Sequence, residues 1–143
     1  MTTAKKPAGL RVVLDTNVYF SAFTSTRGAP CAVWRKAILG EYTLVVSPQI
    51  IQELGGVLRK KAAWQDPEVI AVLKLLAKVG KIVSPTSRID AIVSDDADNR
   101  ILECALDGEA DLIVFSDHHL RRLKSFQEIA IVHPADFRRT LGK

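Results

Sequence analysis

The sequence predicts an α/β fold, a single domain whose parallel sheet is covered by helices on both faces, and three observations carry that expectation. Five short apolar runs, Leu10–Leu14, Thr43–Val46, Lys81–Val83, Asp111–Phe115 and Ile129–Val132, have the β-branched character of buried strands. Segments with helical spacing alternate with them, roughly Cys31–Leu39, Pro48–Lys61, Pro67–Val79, Asp98–Asp107 and His118–Leu123, with Pro134–Leu141 closing the chain. Finally, 143 residues that are 48% hydrophobic and 25% charged suffice for one buried core, not two.

Taken in order, residues 1–9 are polar and are expected to be a flexible N-terminus, leaving 10–143 as the domain. The first strand ends at Asp15, and Ser21–Pro30 (SAFTSTRGAP) reads as an exposed loop beyond it. Ser47-Pro48 and Asp66-Pro67 each set an N-cap residue before a proline at the first helical position. Gly108 suits a helix stop before the fourth strand. No internal repeat or low-complexity segment interrupts this pattern.

Composition excludes several classes. No apolar run approaches the roughly 20 residues of a membrane span, and the N-terminus has no signal-peptide core, so a cytoplasmic protein without membrane partners is expected. Cys31 and Cys104 stand alone in helical segments, which argues against a zinc ribbon or a disulfide scaffold and for buried, reduced thiols. The net charge of +4 permits an anionic partner without requiring one.

The acids carry more information. In open parallel sheets, ligands bind beyond the carboxyl ends of the strands, where strand order reverses. Asp15 ends RVVLD and Asp117 ends LIVFSD; in the doubly wound order 3-2-1-4-5, the two strands are neighbours at that reversal. A lone Asp after a strand is usually a turn or cap residue, so the pairing matters more than either acid. At about 100° per residue, Glu53 falls at the edge of the apolar arc of Ile50, Leu54 and Leu58, close in angle to Lys60, and an ordinary solvated Glu is as good a reading. Asp98 falls within the arc of Ile101, Ala105 and Leu102, where an uncompensated carboxylate is costly. Asp96 turns away and Asp95 belongs to the preceding loop. Four converging carboxylates need a counter-charge, and hard divalent cations such as Mg²⁺ or Mn²⁺ answer with oxygen coordination and activation of water toward a phosphodiester.

At these residues the chain resembles the PIN-domain family, and within it the VapC-like ribonuclease toxins of toxin–antitoxin modules. The matching pieces are VVLDTNVYFSAF, VVSPQIIQEL, SDDADNRILECALDGEADLIVFSD and HLRRL, which span nearly the whole chain in the family's order. The resemblance implies a Rossmann-like five-stranded sheet of order 3-2-1-4-5 and a protein that is usually dimeric. It also implies Mg²⁺- or Mn²⁺-dependent RNA cleavage by an acidic cluster, to which Asp15, Glu53, Asp98 and Asp117 correspond, and a cognate antitoxin as partner. Many members carry Thr or Ser two positions before the fourth acid; this chain has Phe115 there, with Ser116 one place later.

Asn17, Asp95, Asp96 and Ser116 are supporting candidates around these acids, although Asn at a strand-to-loop turn is ordinary. Arg27, Lys60, Arg121 and Arg122 are candidate phosphate contacts among surface charges that also include Lys61 and Arg59. His118 and His119 read best as a solvated helical turn, and Trp34 as part of a local apolar cluster. Asn17 stands where a haloacid-dehalogenase-type phosphatase needs a second Asp, and no glycine-rich phosphate loop follows the first strand. The expected function is therefore a metal-dependent endoribonuclease using activated water, with no covalent nucleophile. The alternative is a non-catalytic RNA- or protein-binding module of the same fold.

Overall fold

Strand β1 (Arg11–Leu14) is apolar along its length because both faces of a central parallel strand are covered, and Val12, Val13 and Leu14 are fully buried. The computed structural model that contains it describes residues 9–89, 96–116 and 125–142, without the side chain of Asp96. The expected helix at 118–123 and the expected N-terminal flexibility of residues 1–8 lie outside the described residues.

From β1 the chain forms α1 (Thr16–Thr24), α2 (Ala29–Ile38), β2 (Thr43–Val46), α3 (Pro48–Ala62), α4 (Asp66–Val79) and β3 (Lys81–Ile82). It continues through α5 (Asp96–Asp107), β4 (Leu112–Val114), β5 (Ser125–Phe126), β6 (Ile129–Val132) and α6 (Pro134–Thr140). The sheet order is β3-β2-β1-β4-β6-β5. All pairings through β6 are parallel, with Leu14 in register with Val114 and Val114 with Val132. The order reverses between β1 and β4, as the 3-2-1-4-5 expectation required.

The expectation of five parallel strands omits one. Ser125–Phe126 adds a short antiparallel edge, joined to β6 by Gln127 and Glu128, which both have positive φ, 47° and 70°. Such a two-residue hairpin turn is ordinarily announced by Asn-Gly or Asp-Gly, so Gln-Glu gave no signal.

The expected loop at Ser21–Pro30 is also corrected, to Ser25–Gly28. Residues 16–24 are helical because Asp15 caps them and Val18, Tyr19 and Ala22 bury one face, an apolar spacing masked by the surrounding hydroxyl residues. The next helix starts after Gly28, whose φ of 106° only glycine adopts readily. The α3 cap matches expectation, with Ser47 Oγ accepting from Ile50 N at 3.2 Å. In α4 the cap is Gln65, one residue before the expected Asp66, and its N–H donates to Glu68 Oε1 at 2.8 Å.

Trp34 sits edge-on to Phe23 at 5.0 Å and to Tyr19 at 6.3 Å, within the apolar cluster expected for it. Cys31 and Cys104 are buried free thiols.

At the end of α5, Asp107 ties down the loop after β3: Oδ2 accepts from Thr86 N at 2.5 Å and Ser87 N at 2.8 Å, and Oδ1 from Ser87 Oγ at 2.5 Å. Hydrogen bonds from the Ser87 hydroxyl and backbone, and then from Thr86, hold this carboxyl below its ordinary value of 3.8. A depressed pKa stabilises the fold above the unfolded-state value and ceases to do so as pH falls through the folded one. Wild type should therefore exceed Asp107→Asn in urea stability at pH 7, with the gap closing below about pH 4. A gap independent of pH would reject the ionic account.

Candidate active site

The carboxyl end of β1 delivers Asp15 to the reversal point of the sheet, where its N–H donates to Val114 O at 3.0 Å across the β1–β4 seam. Its Oδ1 accepts from Val18 N at 2.8 Å, capping α1, and the residue is only 2% exposed. One side chain thus starts a helix and presents its carboxyl group at the carboxyl end of a central strand.

Helices α3 and α5 supply the other two acids. Burial of Ile50, Leu54 and Leu58 orients α3, leaving Glu53 solvent-exposed on the flank, as its angle predicts. Burial of Ile101, Leu102 and Ala105 orients α5, leaving Asp98 partly buried. Asp15, Glu53 and Asp98 line one cleft of about 180 Å³. Thr16, Asn17, Val57, Lys61, Ala97 and Ile101 complete its described walls.

The expected residues thus divide. Three of four principal acids and Asn17 share the cleft, whereas Asp117, Asp95, Arg121 and Arg122 lie outside the described residues, as does the Asp96 side chain. Ser116, just past β4, is not among the cleft-lining residues, and Phe115 before it is buried with its N–H donating to Val132 O at 2.9 Å. Arg27 is exposed on the Ser25–Gly28 loop and is not among the residues that line the cleft. Lys60 faces an adjoining groove. Thr16 and Lys61 are the polar wall residues given no specific place by the sequence reading. Thr16 was signalled by its position between Asp15 and Asn17, and Lys61 by lying two turns beyond Glu53.

Among the described residues the walls of the cleft carry three carboxyl groups and one lysine. Among the described residues, no three His, Cys, Asp or Glu side chains stand close enough to form a ready-made metal cage. The donor chemistry nonetheless fits a hard divalent ion, since all three acids offer oxygen and none of the wall residues offers sulfur or imidazole.

The nearby nucleophiles are silent. Burial first, then the proximity of Tyr42, Cys104 and Asp15, holds the Tyr19 phenol well above its ordinary pKa, and its hydroxyl finds no hydrogen-bond partner among the described residues. Burial likewise pushes the Cys104 thiol up to about 12, despite a hydrogen bond with Ser47. Both remain protonated at neutral pH, so neither suits base or nucleophile chemistry.

A buried carboxylate that the sequence reading passed over is Glu103, 5% exposed. It pairs with Arg100 at 2.9 Å and accepts from Ile89 N at 2.8 Å, while Arg100 donates to Ile89 O at 3.1 Å. The pair fastens the segment before α5 to that helix, a structural task.

The PIN-domain family model matches residues 11–119. An uncharacterized protein of Methanocaldococcus jannaschii is 24% identical over 119 residues, covering 80% of this chain and 76% of its own. Among solved structures, the fold is similar to a chain of VapBC2 from Rickettsia felis bound to a DNA fragment from its promoter. That match has a TM-score of 0.63, 14% identity, and covers 87% of this chain and 98% of the other. It is also similar to a chain of VapBC-1 from nontypeable Haemophilus influenzae, with a TM-score of 0.59, 16% identity, and 88% and 99% covered. With the family match running from the first strand past the fourth and the acids gathered at the reversal between them, the chain belongs to the PIN-domain family.

Proposed function

We propose that this protein is a divalent-metal-dependent endoribonuclease acting as the toxin of a toxin–antitoxin module. The observation that carries the reading is the convergence of Asp15, Glu53 and Asp98, from three separate elements, on one cleft at the sheet reversal. PIN domains are generally nucleases, and the two VapBC matches are to toxin–antitoxin complexes.

Asp15, Glu53 and Asp98 would hold the metal, with Asp117 as the fourth acid the sequence assigns. A bound Mg²⁺ or Mn²⁺ supplies water activation and neutralises charge on phosphate oxygens. The chain's own residues do the rest. Asp15 keeps its carboxylate fixed through the Val18 cap, and Lys61 offers the cation that draws a phosphate toward the acids. Asn17, in the wall of the same cleft, would orient water or a ligand there.

The same reading includes an antitoxin, a homodimer and a cytoplasmic setting. No helix among the described residues is long and apolar enough to cross a membrane. Exposed Ile70 and Leu75 on α4, with Ile82 on the edge strand β3, leave apolar surface that a protein partner would cover.

Purified protein incubated with defined single-stranded RNAs should cleave them with Mn²⁺ and not with chelator. Saturating Mn²⁺ should also raise the Tm by about 6 °C, the shift for about 2 kcal/mol of ligand binding in a domain of this size. Binding of RNA without turnover in any divalent ion would favour the non-catalytic module instead.

A further inference from the structure

Beside the acid cleft lies a second, larger groove of about 620 Å³, and the two share Glu53, Val57 and Lys61. The rest of its described lining is Gln49, Gln52, Gly56 and Lys60, all from α3. At about 100° per residue, Gln52, Gly56, Gln49 and Lys60 fall within an arc of about 80°, with Gly56 in its middle. Val57 and Lys61 turn from that stripe toward the acids. The groove is therefore a continuous extension of the cleft along one helix face.

Gly56 is the feature that packing does not explain. Its neighbour Gly55 faces packed side chains, since an added Cβ would stand 3.1 Å from Leu73 Cδ1, which would have to give way by a few tenths of an ångström, and in ordinary contact with Val69 Cγ1 at 3.6 Å. At Gly56 an added Cβ meets nothing within 4 Å, and its φ is not positive. A glycine inside an exposed helix face weakens the helix, and among the described residues neither a turn nor a neighbouring element requires this one. What it does is lower the floor of the groove between two glutamines and a lysine.

We propose that this groove seats the single-stranded RNA segment flanking the cleaved phosphate, with Gly56 letting the nucleic-acid backbone approach α3 closely. Lys60 and Lys61 take the phosphates, and Gln49 and Gln52 offer amide donors and acceptors to sugar and base edges. The proposal rests on the ribonuclease reading and extends it to the strand beyond the cleft. The described lining favours RNA over a protein helix, since among the described residues Val57 is its only large apolar side chain, while the exposed Ile70, Leu75 and Ile82 belong to other elements. Arg59, tied to Asp66 at 2.8 Å, takes no part.

The test is fluorescence anisotropy with a labelled 12-nucleotide single-stranded RNA in chelator, so that no turnover intervenes. Gly56→Leu and the double variant Lys60→Ala/Lys61→Ala should each raise Kd at least about tenfold, the lysine pair also flattening the salt dependence. Gly56→Ala should raise the Tm by about 3 °C while weakening binding, an opposition that a purely structural glycine would not produce. An unchanged Kd in Gly56→Leu overturns the proposal and leaves the groove to a protein partner. So does a wild type that fails to bind the RNA. Wild type that binds through the groove yet never cleaves with Mn²⁺ upholds the groove and rejects the nuclease reading; cleavage with Kd untouched by Gly56→Leu does the reverse.

Discussion

Asp15→Asn should lose RNA cleavage by at least about a thousandfold, equivalent to about 4 kcal/mol of transition-state stabilisation, while remaining folded. The residue has two tasks that this substitution separates. As a cap, its Oδ1 accepts from Val18 N, and Asn performs that task about as well as Asp. As a negative charge beside Glu53 and Asp98, it draws a cation into the cleft, and a neutral amide does so poorly. In chelator the variant's Tm should match or slightly exceed that of wild type, because losing a charge that α1's N-terminus favours is offset by relief of repulsion among the three acids. Saturating Mn²⁺ should no longer raise it. Asp15→Ala makes the contrast, removing the cap as well and costing about 1 kcal/mol of stability. Cleavage by Asp15→Asn at the wild-type rate would remove the acid cleft from the mechanism.

What the sequence made legible was what repeats or ends cleanly. The four longer strands are visible because parallel strands buried on both faces are nearly all apolar, and Asp15 stands out because it breaks such a run. Asp98 could be set on the apolar face of its helix, and Glu53 only at the edge of such an arc, because an apolar arc fixes helix rotation. What escaped was set by single conformations or by space. The Gln127-Glu128 turn has two positive φ angles in residues that seldom adopt them, so β5 had no signature. Helix α1 was read from Ser21 as a loop because its hydroxyl residues resemble a linker, although Val18, Tyr19 and Ala22 carry a helical face. Gly56 was passed over because an exposed glycine matters only when a groove beside it is known.

Gly108 shows the limit from the other side, and its substitution should have the largest effect on stability. Its place before a strand suggests a glycine chosen for a left-handed helix end, yet that conformation belongs to the next residue, Glu109, at φ 54°. Gly108 is instead required by space. An added Cβ would lie 2.6 Å from Val45 Cγ1 on β2 and 2.7 Å from the Cys104 carbonyl oxygen, and a backbone atom cannot swing aside. The carbonyl of Gly108 is also gripped by Arg11, whose Nε and Nη2 donate to it at 2.9 and 2.6 Å, so the end of α5 is anchored to β1 and cannot easily retreat. Gly108→Ala should therefore cost about 3 kcal/mol, at the upper end for an overpacked core, and lower the Tm by about 9 °C in thermal unfolding. Relief by Val45→Ala in the double variant would identify the clash, because that change removes the Cγ1 contact and leaves the Cys104 carbonyl as the remaining obstacle. A Gly108→Ala protein as stable as wild type would mean that α5 can slide along the sheet. Asp98, carried on the same helix, would then not be held in fixed register with Asp15.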